Sequence, residues 1–242
     1  MIDLHCHYLP GVDDGPELLP EALALARAAY DNGIRACALT PHVHPGRYPN
    51  TRTRLQQDYA AFNEAVRAAG IDLNMFLAGE VRLAPESLAL FQEEEVPYLG
   101  SVDGYRIVLL EFPHETIPLG SERFVGKLLD MQIRPLIAHP ERNKAVMREP
   151  GKMRAFVDMG CWLQLTAGSL CGRFGGAAQK TARALLDDEL AWVMATDAHN
   201  LKSRPPDLAE GRAALEELVG ARLARRMVQE RPARILGLEV AP

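Results

Sequence analysis

The first residues of the chain place two histidines two positions apart. His5 and His7 lie in the opening sequence MIDLHCH, where Ile2 and Leu4 favour a short β-strand. Residues two apart on a strand point to the same side, so both imidazoles can supply half of one divalent-metal site. Two unrelated surface histidines near a terminus would give the same pattern, so this motif alone is weak evidence.

Side chains of the same chemical kind recur where the other predicted strands end. They are His42 and His44, Glu80, Glu111, His139, and Asp197 with His199. Six of the seven histidines occupy such positions, and only His114 comes a few residues late. Because parallel α/β folds place their active sites at the carboxyl ends of strands, this distribution predicts one shared metal site.

The number of candidate ligands indicates more than one ion. Asp14, in the turn-forming sequence VDDGP, adds a carboxylate, while the neighbouring aspartate is available to cap a helix that Pro16 opens. One tetrahedral zinc needs three or four ligands, whereas this set offers five or six histidines and four carboxylates. We therefore expect two or three clustered ions, with mixed nitrogen and oxygen ligands that suit Mn, Fe or Zn better than Mg or Ca.

Such a cluster is suited to the hydrolysis of phosphate esters. Three divalent ions would outweigh the charge of the carboxylates, and a phosphate monoester dianion would neutralise the excess. A water molecule bridging two ions would have its pKa lowered from ~15.7 toward ~7 and would attack phosphorus as hydroxide. Arg142, just after His139, and Arg204 are placed to hold phosphate oxygens through paired hydrogen bonds.

Composition excludes several other classes of protein. The 242 residues are 48% hydrophobic and 24% charged with a net charge of −5, which argues against a nucleic-acid coat or a membrane-surface binder. No signal peptide and no apolar run of ~20 residues is visible, so we expect a cytoplasmic protein without membrane insertion. The sequence lacks a C-x5-R phosphatase loop, a G-x-S-x-G elbow and an ATP-binding P-loop. Its scattered cysteines are expected to be buried free thiols: Cys6, Cys37, Cys161 and Cys171.

Short apolar segments alternate with helical patterns along the chain. The predicted strands are 2–6, Ala36–Thr40, Met75–Glu80, Ile107–Glu111, Arg134–Ala138, Cys161–Leu165 and Trp192–Thr196. The predicted helices are 17–32, 52–69, 85–92, 121–131, 150–159, 176–189, 207–219 and 221–229. Repeated strand–helix units predict an α/β fold with a parallel sheet, either closed as a barrel or open and doubly wound. Without an internal repeat or a linker, residues 1–242 are expected to form a single domain.

The order of these motifs resembles that of the polymerase and histidinol phosphatase (PHP) superfamily. More closely, it resembles the bacterial manganese-dependent protein-tyrosine phosphatases of capsule and exopolysaccharide operons. The matching stretches are MIDLHCH, VDDGP at 12–16, TPH at 40–42, GE at 79–80, LLEF at 109–112, AHPER at 138–142, TDAHN at 196–200 and RPP at 204–206. Their order and spacing are more specific than any one of them alone.

The resemblance implies a distorted (β/α)7 barrel, the PHP fold, with three divalent ions. Manganese is the expected metal, and iron or zinc is the alternative. The implied ligands of the three ions are His5, His7, Glu80 and Asp197; Glu80, Glu111 and His139; and Asp14, His42 and His199. Arg142 and Arg204 match the family's phosphate-contacting arginines. The 44–56 segment matches least well and is expected to form a rim loop, with either Arg47 or Tyr48 toward the substrate.

The resemblance also implies a substrate, the phosphotyrosyl tail of a bacterial tyrosine kinase. Tyrosinate is a tolerable leaving group because a phenol has a pKa of ~10, so a dedicated general acid is less necessary than for an alkyl ester. Two alternatives remain open. One is a small phosphomonoester, such as histidinol phosphate or a nucleotide, and the other is a non-catalytic role as a metal-binding or polymerase-accessory domain. The oligomeric state is not indicated.

Overall fold

Strands and helices alternate through residues 1–239, the part of the chain that the computed structural model describes. The strands are β1 (Ile2–Cys6), β2 (Ala36–Leu39), β3 (His42–Val43), β4 (Asn74–Leu77), β5 (Glu80–Arg82), β6 (Gly100–Val102), β7 (Tyr105–Glu111), β8 (Ile133–Ala138), β9 (Trp162–Thr166) and β10 (Ala191–Ala195). The helices are α1 (Leu19–Asp31), α2 (Arg52–Ala68), α3 (Ser87–Gln92), α4 (Ser121–Asp130), α5 (Lys144–Arg148), α6 (Lys152–Asp158), α7 (Ala167–Leu170), α8 (Gly176–Asp187), α9 (Leu208–Arg225) and α10 (Arg231–Leu236). A 3-10 turn spans Pro140–Arg142, and a π-helical turn spans Arg226–Glu230.

Two bent strands join the sheet into a ring. Only Thr40 and Pro41 separate β2 from β3, and only Ala78 and Gly79 separate β4 from β5. β1 pairs with β2 and β2 with β4; beyond the bends, β3 pairs with β5 and β5 with β7. Pro41 has no N–H to donate, which explains why the first ladder is interrupted there.

The remaining strands close this ring. β7, β8, β9 and β10 pair in that order, all in parallel. The backbone N–H of Asp197 donates to the carbonyl of His5 at 2.8 Å, and that of His7 donates to the carbonyl of Ala198 at 2.9 Å. These hydrogen bonds join the end of β10 to the end of β1. Seven strand positions (β1, β2–β3, β4–β5, β7, β8, β9 and β10) therefore surround one axis as a distorted (β/α)7 barrel.

Alternating residues of the strands divide the apolar core into two parts. In β7, Ile107 and Leu109 join a buried cluster with apolar residues of β1, β2, β8 and β10, which is the barrel interior. Val108 and Leu110 point the other way, into the larger cluster shared with the helices. Helix α10 adds Ile235 to the interior cluster and so covers one end of the barrel.

Aromatic and arginine side chains stack across the amino-terminal ends of four strands. The guanidinium carbon of Arg134 lies 4.5 Å from the ring centre of Tyr105 and 4.7 Å from that of Trp162. The rings of Trp162 and Trp192 stack at 5.0 Å, and Arg231 lies 3.9 Å over Trp192. This stack closes the end of the barrel opposite the carboxyl ends of the strands.

Two predicted elements differ from the structure, and five short elements were not predicted: β3, β6, α5, α7 and α10. The strand expected at Met75–Glu80 is two strands, and Glu80 begins β5 instead of ending its predecessor. The prediction missed β6, which forms an antiparallel hairpin with β7. Helix α1 begins at Leu19 with Pro20 in its first turn, so Pro16 does not open it.

The predicted break between the C-terminal helices 207–219 and 221–229 is present within α9. Gly220 has a φ of 79° and a ψ of 157°, which is not helical, so the helical conformation is interrupted at this residue. A glycine tolerates a positive φ without a steric penalty, so the chain can kink there. The other predicted strands and helices agree with the structure to within a few residues.

Candidate metal centre

The nine predicted ligands gather at the carboxyl-terminal end of the barrel. They come from or next to β1 (His5, His7), β3 (His42), β5 (Glu80), β7 (Glu111), β8 (His139) and β10 (Asp197, His199), and from the loop before α1 (Asp14). A cleft of about 260 Å³ lies over them and is also lined by Arg142 and Arg204. The structure therefore brings together all the residues that the sequence analysis assigned to the site.

Four side chains form the buried central group of this site. Nε2 of His5 lies 3.2 Å from Nε2 of His7 and 3.2 Å from Oδ1 of Asp197. It lies 3.4 Å from Oε2 of Glu80. Nε2 of His7 lies 3.5 Å from each of the same two carboxylate oxygens. Four donor atoms from three distant parts of the chain thus face one point.

The separations in the central group fit a single divalent ion. Ligand atoms bound tetrahedrally at about 2.1 Å from an ion lie about 3.4 Å apart, and octahedral neighbours lie about 3.0 Å apart. Oε2 of Glu80 and Oδ1 of Asp197 are buried and have no hydrogen bond of acceptable geometry. A buried carboxylate oxygen without a partner is costly, and a cation between these oxygens and the imidazoles would satisfy both.

Two further groups of donor atoms adjoin the central group, and in each the atoms lie within 4.8 Å of one another. The members are His42, Glu80 and Glu111 in one group, and His7, Asp14, His42 and His199 in the other. Oδ1 of Asp14 lies 3.2 Å from Nε2 of His42 and 3.3 Å from Nε2 of His199. The latter nitrogen is buried without a hydrogen bond, as expected for an atom that faces an ion.

His139 contacts the central group from the opposite side of Glu80. Its Nε2 lies 2.8 Å from Oε1 of that carboxylate. It also falls within 4.8 Å of donor atoms of His5 and Asp197. Glu80 therefore presents one oxygen to His139 and the other to the central group, which is the arrangement of a carboxylate that bridges two ions.

Close packing of acids and imidazoles shifts their pKa values in opposite directions. Burial opposes the ionisation of Glu80 and Asp197, but their charged neighbours outweigh it and hold the pKa of both carboxyls well below the usual range: His5 beside both, His42 beside Glu80, and Arg204 and Arg142 beside Asp197. Burial also disfavours the protonation of His42, yet the charge of Glu80 raises its pKa to about 10. Burial lowers the pKa of His199 to about 4. His199 is thus ready to bind a metal at neutral pH, whereas His42 must first lose a proton.

Two side chains outside the predicted set hold the histidines of β1. Nδ1 of His7 donates to Oδ2 of Asp13 at 2.7 Å, and the same oxygen accepts from the backbone N–H of His42 at 2.9 Å. Nδ1 of His5 donates to Oε1 of Gln164 at 2.8 Å. The sequence analysis gave the neighbour of Asp14 only a capping role, which the structure replaces with this contact. The one available sign for Gln164 was its position near the end of a strand.

Backbone strain accompanies two of the candidate ligands. His139 and Asp197 have φ values of 33° and 55°, in the left-handed region that non-glycine residues rarely adopt. The carbonyl of Asp197 then accepts a hydrogen bond of 2.9 Å from Nδ1 of His199. Strain of this kind persists only where surrounding contacts enforce it, and it is concentrated at functional sites.

Three arginines reach into the cleft and hold carboxylates there. Arg142 and Arg204 both donate to Oδ2 of Asp197, the oxygen that faces away from the central group. Arg82, which the sequence analysis did not select, donates to Oε2 of Glu111 at 2.9 Å. Each guanidinium keeps other N–H donors, since it carries five.

The predicted rim loop contains an ordered turn over the cleft. The backbone N–H of His44 donates to the carbonyl of Tyr48 at 3.0 Å, and the reverse bond is 2.8 Å long. The ring of Tyr48 lies nearly parallel to that of His42, with centres 5.4 Å apart. The guanidinium carbon of Arg47 lies 5.0 Å from the centre of the Tyr48 ring. Both side chains that were expected at the rim line the cleft.

The sequence analysis also predicted buried free thiols and no membrane-spanning segment. All four cysteines are free; Cys6, Cys37 and Cys161 are buried, and Cys171 is half-buried. Within residues 1–239, every helix is too short or too polar to cross a lipid bilayer.

The chain is similar over nearly its whole length to known bacterial proteins. It is 33% identical to tyrosine-protein phosphatase YwqE of Bacillus subtilis, over 92% of this chain and 87% of that protein. It is 29% identical to tyrosine-protein phosphatase CpsB of Streptococcus pneumoniae, over 98% of both. A structure from the crystallographic work on YwqE and CpsB, described as unique metal-dependent tyrosine phosphatases, matches with a TM-score of 0.90 at 30% identity, covering 100% of this chain and 96% of that one. The family model for capsular polysaccharide synthesis, CpsB/CapC, matches residues 1–237, and the chain belongs to this family.

Proposed function

We propose that this chain is a metal-dependent tyrosine phosphatase of capsule or exopolysaccharide synthesis. The central group carries the proposal, because its donor atoms lie 3.2–3.5 Å apart and include two buried carboxylate oxygens without a hydrogen bond of acceptable geometry. The names of YwqE and CpsB support the same reaction. The match to the metal-dependent structure supports the need for a metal.

The donor groups are proposed to hold three divalent ions. The proposed ligands are His5, His7, Glu80 and Asp197 for the first ion; Glu80, Glu111 and His139 for the second; and Asp14, His42 and His199 for the third. Mixed imidazole and carboxylate ligands suit Mn²⁺, Fe or Zn, and Mn²⁺ is proposed from the resemblance to manganese-dependent phosphatases. When bound, such ions supply positive charge to phosphate oxygens and lower the pKa of water.

Arg142 and Arg204 are proposed to bind the phosphate group. Burial opposes the charge of Arg142, but the adjacent Asp197 outweighs it and raises the pKa of the guanidinium, so Arg142 stays charged. Nε of Arg204 is buried without a hydrogen bond and can donate to a phosphate oxygen. Two fixed guanidiniums would orient the phosphate and stabilise the charge that develops during its transfer.

The physiological substrate is proposed to be the phosphotyrosyl tail of a bacterial tyrosine kinase, in the cytoplasm. The family's place in capsule synthesis supports this choice of partner. Tyrosinate needs little help to leave, because a phenol has a pKa of ~10, so the proposed reaction does not depend on a dedicated general acid. A net charge of −5 gives no reason to expect a nucleic-acid partner.

A comparison of substrates tests the proposal. Protein loaded with Mn²⁺ should hydrolyse a phosphotyrosyl peptide with a kcat/KM well above that for histidinol phosphate or a nucleoside monophosphate. EDTA should abolish the activity, and Mn²⁺ should restore it. Faster turnover of histidinol phosphate would instead identify the chain as a phosphatase of small molecules.

A substitution at the bridging carboxylate tests the site. Glu80→Ala should lower kcat/KM by about 10³-fold or more, because it removes a ligand from two ion positions. Glu93→Ala, at an exposed glutamate, is the matched control and should retain full activity. Full activity in Glu80→Ala would support the non-catalytic interpretation of the metal site.

A further inference from the structure

A second concave surface adjoins the metal cleft on the side of helix α1. This groove has a volume of about 540 Å³, larger than the cleft over the metal centre. One wall comes from the start of α1 and the segment before it, and the other wall comes from the loop after β10. Its lining includes Pro16, Pro20, Ala24, Leu25 and Leu201. The groove is therefore mainly apolar, unlike the cleft beside it.

The groove and the cleft meet at the third group of candidate ligands. Asp14 lines both, and His199 lies at the inner end of the groove. Asp14 is the most exposed of the nine candidate ligands, at 42% of its side chain, and it is the residue that the two spaces share. A molecule whose phosphate occupies the cleft can extend over Asp14 into the groove without leaving the protein surface.

Exposed leucines lie in the two segments that form this groove. Within residues 1–239, five large hydrophobic side chains are exposed. One of them, Leu201, lines the groove, and Leu18 and Leu19 lie in the sequence between its lining prolines, Pro16 and Pro20. Exposed apolar side chains that cluster around a concavity are typical of a binding surface, whereas isolated ones need no explanation.

We propose that this groove is a peptide subsite, which binds an apolar side chain of the polypeptide next to phosphotyrosine. The inference rests on the proposed function, because the tyrosine itself must occupy the metal cleft. The groove meets the metal cleft at Asp14, next to His199. The part of the substrate that enters the groove is therefore the polypeptide that carries the phosphotyrosine. The apolar lining determines the chemistry of the preferred neighbour, since burying a leucine-sized side chain gives a gain in affinity of about tenfold or more.

Charged residues at the groove are few and of both signs. Glu21 and Lys202 are the charged side chains that line it besides Asp14. A site for a small anionic ester would be expected to collect several cationic groups, as the cleft does with its arginines. The groove lacks such a set among the described residues, which favours an uncharged segment of polypeptide as its occupant.

Two matched peptides test the subsite. One carries phosphotyrosine flanked by leucines, and the other has serines at the same positions; p-nitrophenyl phosphate is the reference without a peptide chain. With Mn²⁺-loaded protein, kcat/KM for the leucine peptide should exceed that for the serine peptide about tenfold or more. Leu201→Asp, which adds a charge, and Ala24→Phe, which fills the groove, should each reduce this ratio to near one.

The control is an equally exposed leucine elsewhere. Leu218, on α9, is 45% exposed against 51% for Leu201, and Leu218→Asp should keep the peptide preference. Equal losses for both peptides and for p-nitrophenyl phosphate in Leu201→Asp and Ala24→Phe would overturn the subsite. So would a leucine preference that survives in both variants.

A binding measurement separates the subsite from the reaction. Fluorescence anisotropy of labelled, unphosphorylated leucine and serine peptides requires no turnover. The wild-type protein should bind the leucine peptide more tightly, and Leu201→Asp should remove the difference. If the protein hydrolyses no phosphotyrosyl peptide but still binds the leucine peptide more tightly in the anisotropy measurement, only the proposed function is contradicted. If both peptides bind equally, the subsite is contradicted.

Discussion

Two side chains outside the candidate ligand set hold the imidazoles of His5 and His7 by hydrogen bonds to Nδ1. Gln164 and Asp13 each accept a hydrogen bond from Nδ1, at 2.8 and 2.7 Å. With the proton on Nδ1, the lone pair of each Nε2 is directed at the centre of the site. The orientation of these two candidate ligands therefore depends on residues outside the candidate ligand set.

Asp13→Asn should weaken the metal centre without unfolding the barrel. Asp13 uses both carboxylate oxygens, one toward His7 and His42 and one toward the N–H of Gly15, and an amide offers only one oxygen. We expect Mn²⁺ affinity to fall by about 10–100-fold, measured by titration calorimetry. Asp58→Asn, on the exposed side of α2, is the control. Unchanged affinity in Asp13→Asn would show that this contact does not support His7.

Metal binding should release protons at neutral pH. The pKa of His42 is raised to about 10, so its imidazole is protonated in the metal-free protein and must lose that proton to bind an ion. Mn²⁺ affinity should therefore rise as the pH increases from 6 toward 9. His199, with a pKa lowered to about 4, is already neutral and contributes no proton.

Calorimetry in buffers of different ionisation enthalpy measures this release. His42→Gln should lower the number of protons released at pH 7 by about one, whereas His199→Gln should leave the count per bound ion unchanged. Equal proton counts in the wild-type protein and His42→Gln would contradict the assignment.

Residue type and position at strand ends were enough to predict which side chains gather. They were not enough to separate Asp13 from Asp14, because adjacent carboxylates in one turn give the same local pattern. Only the folded chain shows that Asp14 faces His42 and His199 while its neighbour supports His7. The contact between His5 and Gln164 spans 159 positions, and no local pattern predicts it.

The bends between β2 and β3 and between β4 and β5 determine which side chains lie next to one another in the site. β3 pairs with β5 so that His42 lies opposite Glu80, which brings Nδ1 of the histidine within 2.9 Å of Oε2 of the glutamate. The sequence predicted a straight strand ending at Glu80, because apolar alternation is the same in a straight strand and in a bent one. At the bend, a Cβ on Gly79 would lie 2.8 Å from Cγ2 of Val43, so a side chain there would force the strands apart.

A substitution at Gly100 tests the packing of helix α10 on strand β6. A Cβ added at Gly100 would lie 1.9 Å from the carbonyl oxygen of Ile235, closer than any real contact. Gly100→Ala should therefore displace α10 from the barrel and lower stability by about 1–3 kcal/mol. Thermal unfolding should show a Tm lower by several degrees.

A matched glycine gives the control for this substitution. Gly176, in the first turn of α8, has open space where a Cβ would be, so Gly176→Ala should leave Tm unchanged or raise it slightly. If Gly100→Ala unfolds no earlier than Gly176→Ala, the close packing of α10 on β6 is wrong.

At the level of the whole molecule, the sequence patterns did not show whether the seven strands close into a barrel. Seven predicted strands allowed either a barrel or an open sheet, and the resemblance to the PHP superfamily favoured the barrel. The deciding contacts are the hydrogen bonds between β1 and β10, which join residues almost two hundred positions apart. Strand periodicity carries no information about such a pairing, so only a known relative or the structure itself could supply it.

Metal binding should stabilise the entire barrel, since the ligands come from both strands at the closure. At a free Mn²⁺ concentration one hundred times its Kd, each site adds about 2.7 kcal/mol to the free energy of unfolding. For a chain of this size, that is a rise in Tm of about 5–10 °C per site. EDTA should reverse the rise, as seen by calorimetry. A Tm that does not respond to Mn²⁺ would mean that the donor groups bind no ion in the folded protein.

The hydrogen bonds that tie β10 to β1 also determine when a newly made molecule becomes competent. His5 and His7 are translated long before Asp197 and His199, which follow only after all seven strand positions have been made. A nascent chain therefore carries the beginning of its metal centre through nearly all of its synthesis without being able to complete it. A product that terminates before Asp197 would lack two candidate ligands, Asp197 and His199, and the hydrogen bonds that close the barrel, so we expect such a product to have no phosphatase activity.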